Sequence, residues 1–449
     1  MGKGVRFIAL LLAYSLATWL LRGRPWAPPA LLTPQAALPL LRPIQGDAPP
    51  PGPTVTAPAA PVVVPAVAPV GSGRAPALGT WPGVLDAFRA LEAGERSRVR
   101  VLHLGDSEVV ADGPTAIVRD RLVARFGHGG LGYAAATSPL RWYQVDGWTH
   151  RESQGVQART FPLGTAGAGR FGPGGVAFEA QAGASSTVTV RHARRGGCRL
   201  KFFYDRKPTG GAIELLLDGV SQGRVESDGS PKLMVETLDV ADCPRDLGWR
   251  NHGNYSRVFG WSVEYLEPGV VYSTLGVVGA QLRHLSHYEP GHLAESLGAL
   301  EPDLVVLGYG LSLASMPVPP PPSYARDVAA VLRALRAGLP RAACLIVGPY
   351  PVGKPEGSHP EARNAERLTA MQREAAEEAG CAFVDRFHLA GGAMAVTRWR
   401  STFPRILSGD YRHLTHHGSE RMGEALATTL LSAIDGRTPP VGAFMLEAR

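Results

Sequence analysis

The chain has 449 residues, 46 Lys and Arg against 39 Asp and Glu, and a formal charge of +7. Only Lys3, Lys201, Lys207, Lys232 and Lys354 are lysines, and no run of basic residues interleaved with aromatics suits a nucleic-acid groove. The excess is a matter of composition, which leaves an anionic envelope polymer as a permissible partner and nucleic acid as none.

Met1 to Arg24 carries Lys3 and Arg6, an apolar run from Phe7 to Leu21, then Arg22 and Arg24. This is the n-region and h-region of a secretory signal, short for a full membrane span and without a close Ala-x-Ala site. It implies export to the periplasm or cell envelope, with the segment either cleaved or kept as an inner-membrane anchor. Residues 25–80 are mostly Pro, Ala and Val with almost no charge, a composition that favours extended polyproline II and builds no core. They read as a linker.

The folded part runs from Trp81 to Gly436, with 437–449 as a tail. A short amphipathic helix over Trp81–Ala93 precedes a buried strand, Val99 to Leu104, which ends at Gly105-Asp106-Ser107 just before a helix with apolar positions at Ile117, Val118, Leu122 and Phe126. Ser107 therefore stands at a strand-to-helix corner, where α/β sheets gather ligands and where backbone N–H groups of a helix start face any oxyanion. A turn with a helix cap explains the same three residues.

From 140 to 268 the chain shows short β runs between Gly, Pro and Asp turns: Val176–Ala180, Ser186–Arg191, Arg199–Tyr204, Ile213–Leu217, Leu233–Leu238 and Trp261–Tyr265. These predict a sandwich or jelly roll inserted within an α/β domain whose two parts are 81–139 and 269–436. The second part alternates strands (Val270–Val278, Leu304–Leu307, Leu345–Gly348, Ala382–Asp385) with helices (Tyr324–Leu335, Pro360–Ala379 and a closing helix from about Glu420 to Ile434), as a doubly wound, mostly parallel sheet requires. Gly167-x-Gly169-x-x-Gly172 matches a dinucleotide fingerprint but lacks the strand before and the helix after, so it reads as a loop and no cofactor is implied.

Cys198 and Cys243 fall in the β-rich region, where an exported protein permits them to pair; Cys344 and Cys381 begin two apolar segments that read either as neighbouring strands, whose cysteines can pair, or as carriers of reduced core residues. No cysteine or histidine spacing suits a metal site. A nucleophilic serine needs a base, and the base an orienting carboxylate. Asp410-Tyr-Arg-His413-Leu-Thr415 lies in a polar loop before the last helix, where Asp410 can fix the imidazole tautomer and His413 can take the Ser107 proton. His416 and His417 read as the solvated start of that helix.

Gly105-Asp106-Ser107 with Ala111-Asp112, Phe126-Gly127-x-Gly129-Gly130-x-Gly132, Leu275-Gly276-Val277-Val278-Gly279-Ala280, Gly391-Gly392 before Trp399, and Asp410-x-x-His413 together resemble the SGNH (GDSL) hydrolases, closest to their peptidoglycan O-acetylesterase-like branch. The resemblance covers Trp81 to the carboxyl end. It implies an α/β/α flavodoxin-like core with an inserted carbohydrate-binding-like β domain, and a triad of Ser107 (nucleophile), His413 (base, then acid) and Asp410 (orienter). It also implies an oxyanion hole from the N–H groups of Ser107 and Gly279 and a third donor. That donor is usually an Asn in a Gly-x-Asn; here Gly310-Leu-Ser312 puts a serine in its place. Glu108 replaces a frequent His, and Val278 a frequent Asn. The implied reaction is deacetylation of an envelope glycan through an acetyl-serine; acetyl transfer to a sugar, or glycan binding without catalysis, are the alternatives the fold also permits.

Overall fold

The computed structural model describes residues 82–140, 143–151, 153–161, 169–191, 196–316, 320–353, 360–438 and Phe444. The expected signal or anchor, the Pro-rich linker, Gly167 and most of the tail lie outside them. None of the described helices is long and apolar enough to cross a membrane.

In chain order the elements are α1 (Pro82–Glu92), β1 (Arg98–Gly105), α2 (Ser107–Val110), α3 (Gly113–Phe126), β2 (His128–Ala135), β3 (Trp148–His150), β4 (Gln154–Thr160), β5 (Val176–Val190), β6 (Cys198–Arg206), β7 (Ala212–Leu217), β8 (Val220–Glu226), β9 (Lys232–Val240), β10 (Asp246–Asn251), β11 (Tyr255–Tyr265) and β12 (Gly269–Gly276). There follow α4 (His292–Gly298), β13 (Leu304–Gly308), α5 (Leu311–Ala314), α6 (Tyr324–Gly338), β14 (Ala343–Val347), α7 (Pro360–Ala379), β15 (Ala382–Val384), α8 (Arg386–Leu389), α9 (Ala395–Ser401) and α10 (His416–Ile434).

Six strands run parallel in the order β15-β14-β13-β1-β12-β2. β1, β12 and β13 are buried along nearly their whole length, which is why they read as continuous apolar runs instead of alternating ones. α1, α3 and α10 pack as one group of helices and α4, α6 and α7 as another, giving the helical layers of a doubly wound α/β core. β1, the first strand, lies between β12 and β13, so the chain order reverses there. The C-terminal end of β1 beside β13 is the topological switch point where such sheets bind ligands.

The β-rich segment is hydrogen-bonded into this sheet. β2 pairs parallel with β12 on one side and antiparallel with β11 on the other, and β11 continues to β5 and β6. Tight passage at this junction demands small residues: a Cβ on Gly260 would meet the Ala134 carbonyl oxygen at 2.3 Å. The runs at Val176–Ala180 and Ser186–Arg191 form one strand, β5, carried through a bend at Gly183, whose φ of +78° a side chain would resist. Its first half pairs with β11 and its second with β10. Trp249, Trp261, Phe178, Phe202, Phe203 and Phe259 fill the interior of the antiparallel layers. A buried Asp205 on β6 accepts from Arg170 at 3.0 Å and from Arg257 at 3.2 Å, while Arg170 also faces Glu289 at 3.4 Å beside the core helix α4.

All four cysteines are paired, Cys198 with Cys243 and Cys344 with Cys381. The closing helix starts at His416, earlier than the apolar pattern suggests, because the Thr415 hydroxyl caps it by accepting the Gly418 N–H at 3.0 Å.

Candidate active site

Gly105 ends β1 where the chain must turn into α2 under close packing. A Cβ there would stand 2.2 Å from Val109 Cγ2 and 2.6 Å from the Gly308 carbonyl oxygen, so the corner accepts no side chain. Asp106 follows as the N-cap of α2 and is fully buried. Its carboxylate accepts the N–H groups of Glu108 at 3.3 Å, Gly310 at 3.2 Å and Ser312 at 3.2 Å. Burial, with the Glu108 charge nearby, pushes its pKa up to about 6 against these three hydrogen bonds. Asp106 thus ties the serine corner to the loop after β13.

Ser107 is the first residue of α2. Its Oγ lies 3.1 Å from Nε2 of His413, a residue 306 positions away. Nδ1 of His413 lies 2.6 Å from Asp410 Oδ2, and Asp410 Oδ1 accepts the N–H groups of Arg412 and His413, each at 3.0 Å. Desolvation opposes ionisation of Asp410, but the hydrogen bonds from Ser408, His413 and the two backbone N–H groups outweigh it and hold the carboxyl well below the usual range. An ionised Asp410 accepts the hydrogen bond of Nδ1–H, which keeps the proton on Nδ1 and leaves Nε2 as the acceptor for the serine hydroxyl.

The loop that carries Asp410 and His413 is a tight hairpin, with Ser408 N–H on the His413 carbonyl at 2.8 Å and a bridge between Leu407 and Leu414. Tyr411 takes a φ of +60° within it, and the Arg400 guanidinium sits 4.1 Å above its ring. The Gly353 N–H donates to the Tyr411 carbonyl at 2.9 Å and the Tyr350 hydroxyl to the Arg412 carbonyl at 2.8 Å.

Gly279 is exposed in the turn after β12, with a φ of +78°. Among the described residues neither its N–H nor that of Ser107 has an acceptor. Ser312 is half-buried in α5; its N–H is committed to Asp106, so its hydroxyl is the group it can aim at a substrate. Val278 is half-buried beside Gly279. His416 and His417 face Glu420 at 3.3 and 3.7 Å at the start of α10.

Glu108 has a partner that spacing does not reveal. Its carboxylate is held by both terminal nitrogens of Arg386, at 2.7 and 2.9 Å, and both side chains are buried. Arg386 lies 278 residues downstream. The one local sign is its position directly after Asp385, which follows β15 and caps α8 by accepting the His388 N–H at 2.9 Å.

Residues 244–421 match the model of the GDSL-like lipase/acylhydrolase family, a segment that includes Asp410 and His413. No curated protein matches the chain by sequence. A solved structure of a peptidoglycan O-acetylesterase superposes with a TM-score of 0.68 at 22% identity, over 79% of this chain and 96% of that one. A family two carbohydrate esterase from Cellvibrio japonicus (11% identity, 68% and 98% covered) and an acetylxylan esterase mutant from Geobacillus stearothermophilus (18%, 37% and 73%) both give TM-scores of 0.28, too low to carry weight. By sequence, residues 244–421 match a GDSL-like lipase/acylhydrolase domain, and the fold over most of the chain is that of the superposed esterase.

Proposed function

We propose that this protein is an exported serine esterase that removes O-acetyl groups from a cell-envelope glycan, peptidoglycan foremost. The observation that carries the catalytic reading is the continuous chain from Ser107 Oγ through His413 to Asp410, at 3.1 and 2.6 Å. In the first half-reaction His413 Nε2 takes the serine proton as Oγ attacks the acetyl carbonyl. The oxyanion forms against the N–H groups of Ser107 and Gly279 and the Ser312 hydroxyl. The imidazolium then protonates the departing sugar oxygen, leaving acetyl-Ser107. In the second half-reaction water attacks the acetyl carbonyl as it gives a proton to His413, the Ser107 Oγ–acyl bond breaks with that proton returned to Oγ, and acetate is released. The His413 and Asp410 side chains are 43% and 48% exposed, so water reaches the acyl-enzyme, which favours hydrolysis over transfer to a second sugar.

Export is supported by the apolar, basic-flanked amino terminus and by the two disulfides, which persist in oxidising compartments. The choice of peptidoglycan follows the fold match to an enzyme of that description. The test is hydrolysis of p-nitrophenyl acetate by the full chain and by Ser107→Ala and His413→Ala, followed by acetate release from O-acetylated sacculi. Equal turnover in all three proteins would refute the triad, and turnover of the small ester with none on sacculi would refute the substrate.

A further inference from the structure

The nucleophile and the base sit on elements far apart in sequence, and their direct contact is one hydrogen bond. A second connection runs behind the site. The residue after Ser107 is Glu108, gripped at two points by Arg386. The Arg386 Nε–H donates to the Gly348 carbonyl at 2.6 Å, at the end of β14, and its guanidinium lies 5.1 Å from the centre of the Tyr350 ring. The Tyr350 hydroxyl donates to the carbonyl of Arg412 at 2.8 Å, and Arg412 is the residue before His413. Glu108, Arg386 and Tyr350 are all buried, their polar contacts fixed in direction and shielded from water.

We propose that Glu108, Arg386 and Tyr350 are positioning residues that together set the separation between Ser107 and His413. The inference rests on the hydrolase reading above. The two ends of the device are the immediate chain neighbours of the nucleophile and the base, so a shift anywhere along it changes the proton-transfer distance directly. It also balances charge: a bare Glu108 carboxylate beside the serine would oppose an oxyanion forming there, and the paired guanidinium cancels it. The ion pair reaches the base only through Tyr350, whose ring lies against the Arg386 guanidinium and whose hydroxyl holds the carbonyl next to His413.

Tyr350→Phe removes one hydroxyl without changing the packing, and Arg412 keeps a second anchor through its Nη2 on the Ser315 carbonyl at 3.3 Å, so this variant retains the fold. Glu108→Gln with Arg386→Met removes both charges at once, avoiding an orphaned ion. The experiment uses the full chain well below its thermal midpoint and reads two rates: p-nitrophenyl acetate turnover, and phosphonylation of Ser107 by a fluorophosphonate, which reports serine activation whatever the natural substrate.

We expect both rates in Tyr350→Phe to fall about ten- to a hundredfold, the scale of misplacing a reacting group by up to ~1 Å, with KM within about twofold. The double variant falls comparably, and the triple variant little further, since one device is being broken. Wild-type phosphonylation rates in folded Tyr350→Phe, or independent additive losses in the triple variant, would overturn the proposal. A wild-type protein that takes no label removes the hydrolase reading and this device with it, whereas one that is labelled but does not turn over acetyl esters refutes only the proposed reaction.

Discussion

The Ser312 N–H donates to the Asp106 carboxylate at 3.2 Å, which couples the loop after β13 to the corner that bears the nucleophile. With that N–H committed, only the Ser312 hydroxyl remains to meet an oxyanion. Ser312→Ala is therefore expected to lower kcat about ten- to a hundredfold with KM little changed, below the ~10²–10³ typical of a full oxyanion donor because a hydroxyl is short and free to rotate. Ser312→Asn, which extends the donor without touching the backbone contact, is expected to raise kcat. Steady-state kinetics on p-nitrophenyl acetate decide it, and an unchanged Ser312→Ala removes the third donor from the site.

Asp410 presents one oxygen to two backbone N–H groups and the other to His413. In Asp410→Asn the amide oxygen must serve the backbone donors, which turns the NH₂ toward Nδ1 and selects the wrong imidazole tautomer. A loss of about 10²–10⁴ in kcat follows, with the hairpin intact. Activity within a few-fold of wild type would show that solvent orients this half-exposed imidazole unaided.

Acid should weaken the fold before it titrates the surface carboxylates. Burial pushes His103 down to about 3, helped by the Arg386 charge, and burial pushes His150 down to about 4 against its bond to the Ala135 carbonyl. Both stay neutral when folded but protonate near 6.5 when unfolded, so their stabilisation is complete above pH 6.5 and is lost as pH falls toward their folded values. Asp106, raised to about 6, runs the other way: between 6 and 3.8 its folded form holds a proton that its unfolded form has released. Two imidazoles against one carboxyl leave a net loss of about 1.4 kcal/mol per pH unit between pH 6 and 4 from these three groups. Thermal midpoints at pH 7.0 and 4.5 check the sign, and a higher midpoint in acid contradicts it.

The disulfides close loops spanning 45 and 37 residues of sequence. On the chain-entropy estimate each contributes about 4 kcal/mol by restricting the unfolded chain. Reduction is expected to lower the denaturation midpoint markedly while leaving p-nitrophenyl acetate turnover intact at 25 °C, because neither bridge touches Ser107, Asp410 or His413. An unchanged midpoint after complete reduction would mean that the unfolded chain is already compact.

The core was legible because parallel strands buried on both faces leave continuous apolar runs, as at Leu304–Leu307, and because Gly105-Asp106-Ser107 compresses a steric and a chemical demand into three adjacent residues. Asp410 and His413 share one short loop, so their pairing could be read locally. Glu108 and Arg386 could not: their contact depends on α2 and α8 meeting at the same end of the sheet, and nothing in either neighbourhood names the other. For Cys344 and Cys381 the sequence left a bond and reduced core thiols as equal alternatives, and the pairing of β14 with β15 decides for the bond. The short β runs of 140–268 predict an inserted sandwich or jelly roll without saying how it attaches to the parallel sheet. Single-strand patterns do not say that β2 carries partners on both edges.

That shared strand has a mechanical consequence. Because β2 is hydrogen-bonded at once to β12 and β11, and Arg170 separately joins Asp205 of β6 to Glu289 before α4, the antiparallel layers are held to the parallel strands at more than one place. Every point on those layers therefore keeps a set offset from Ser107, held by the ladder of β2 instead of by a hinge.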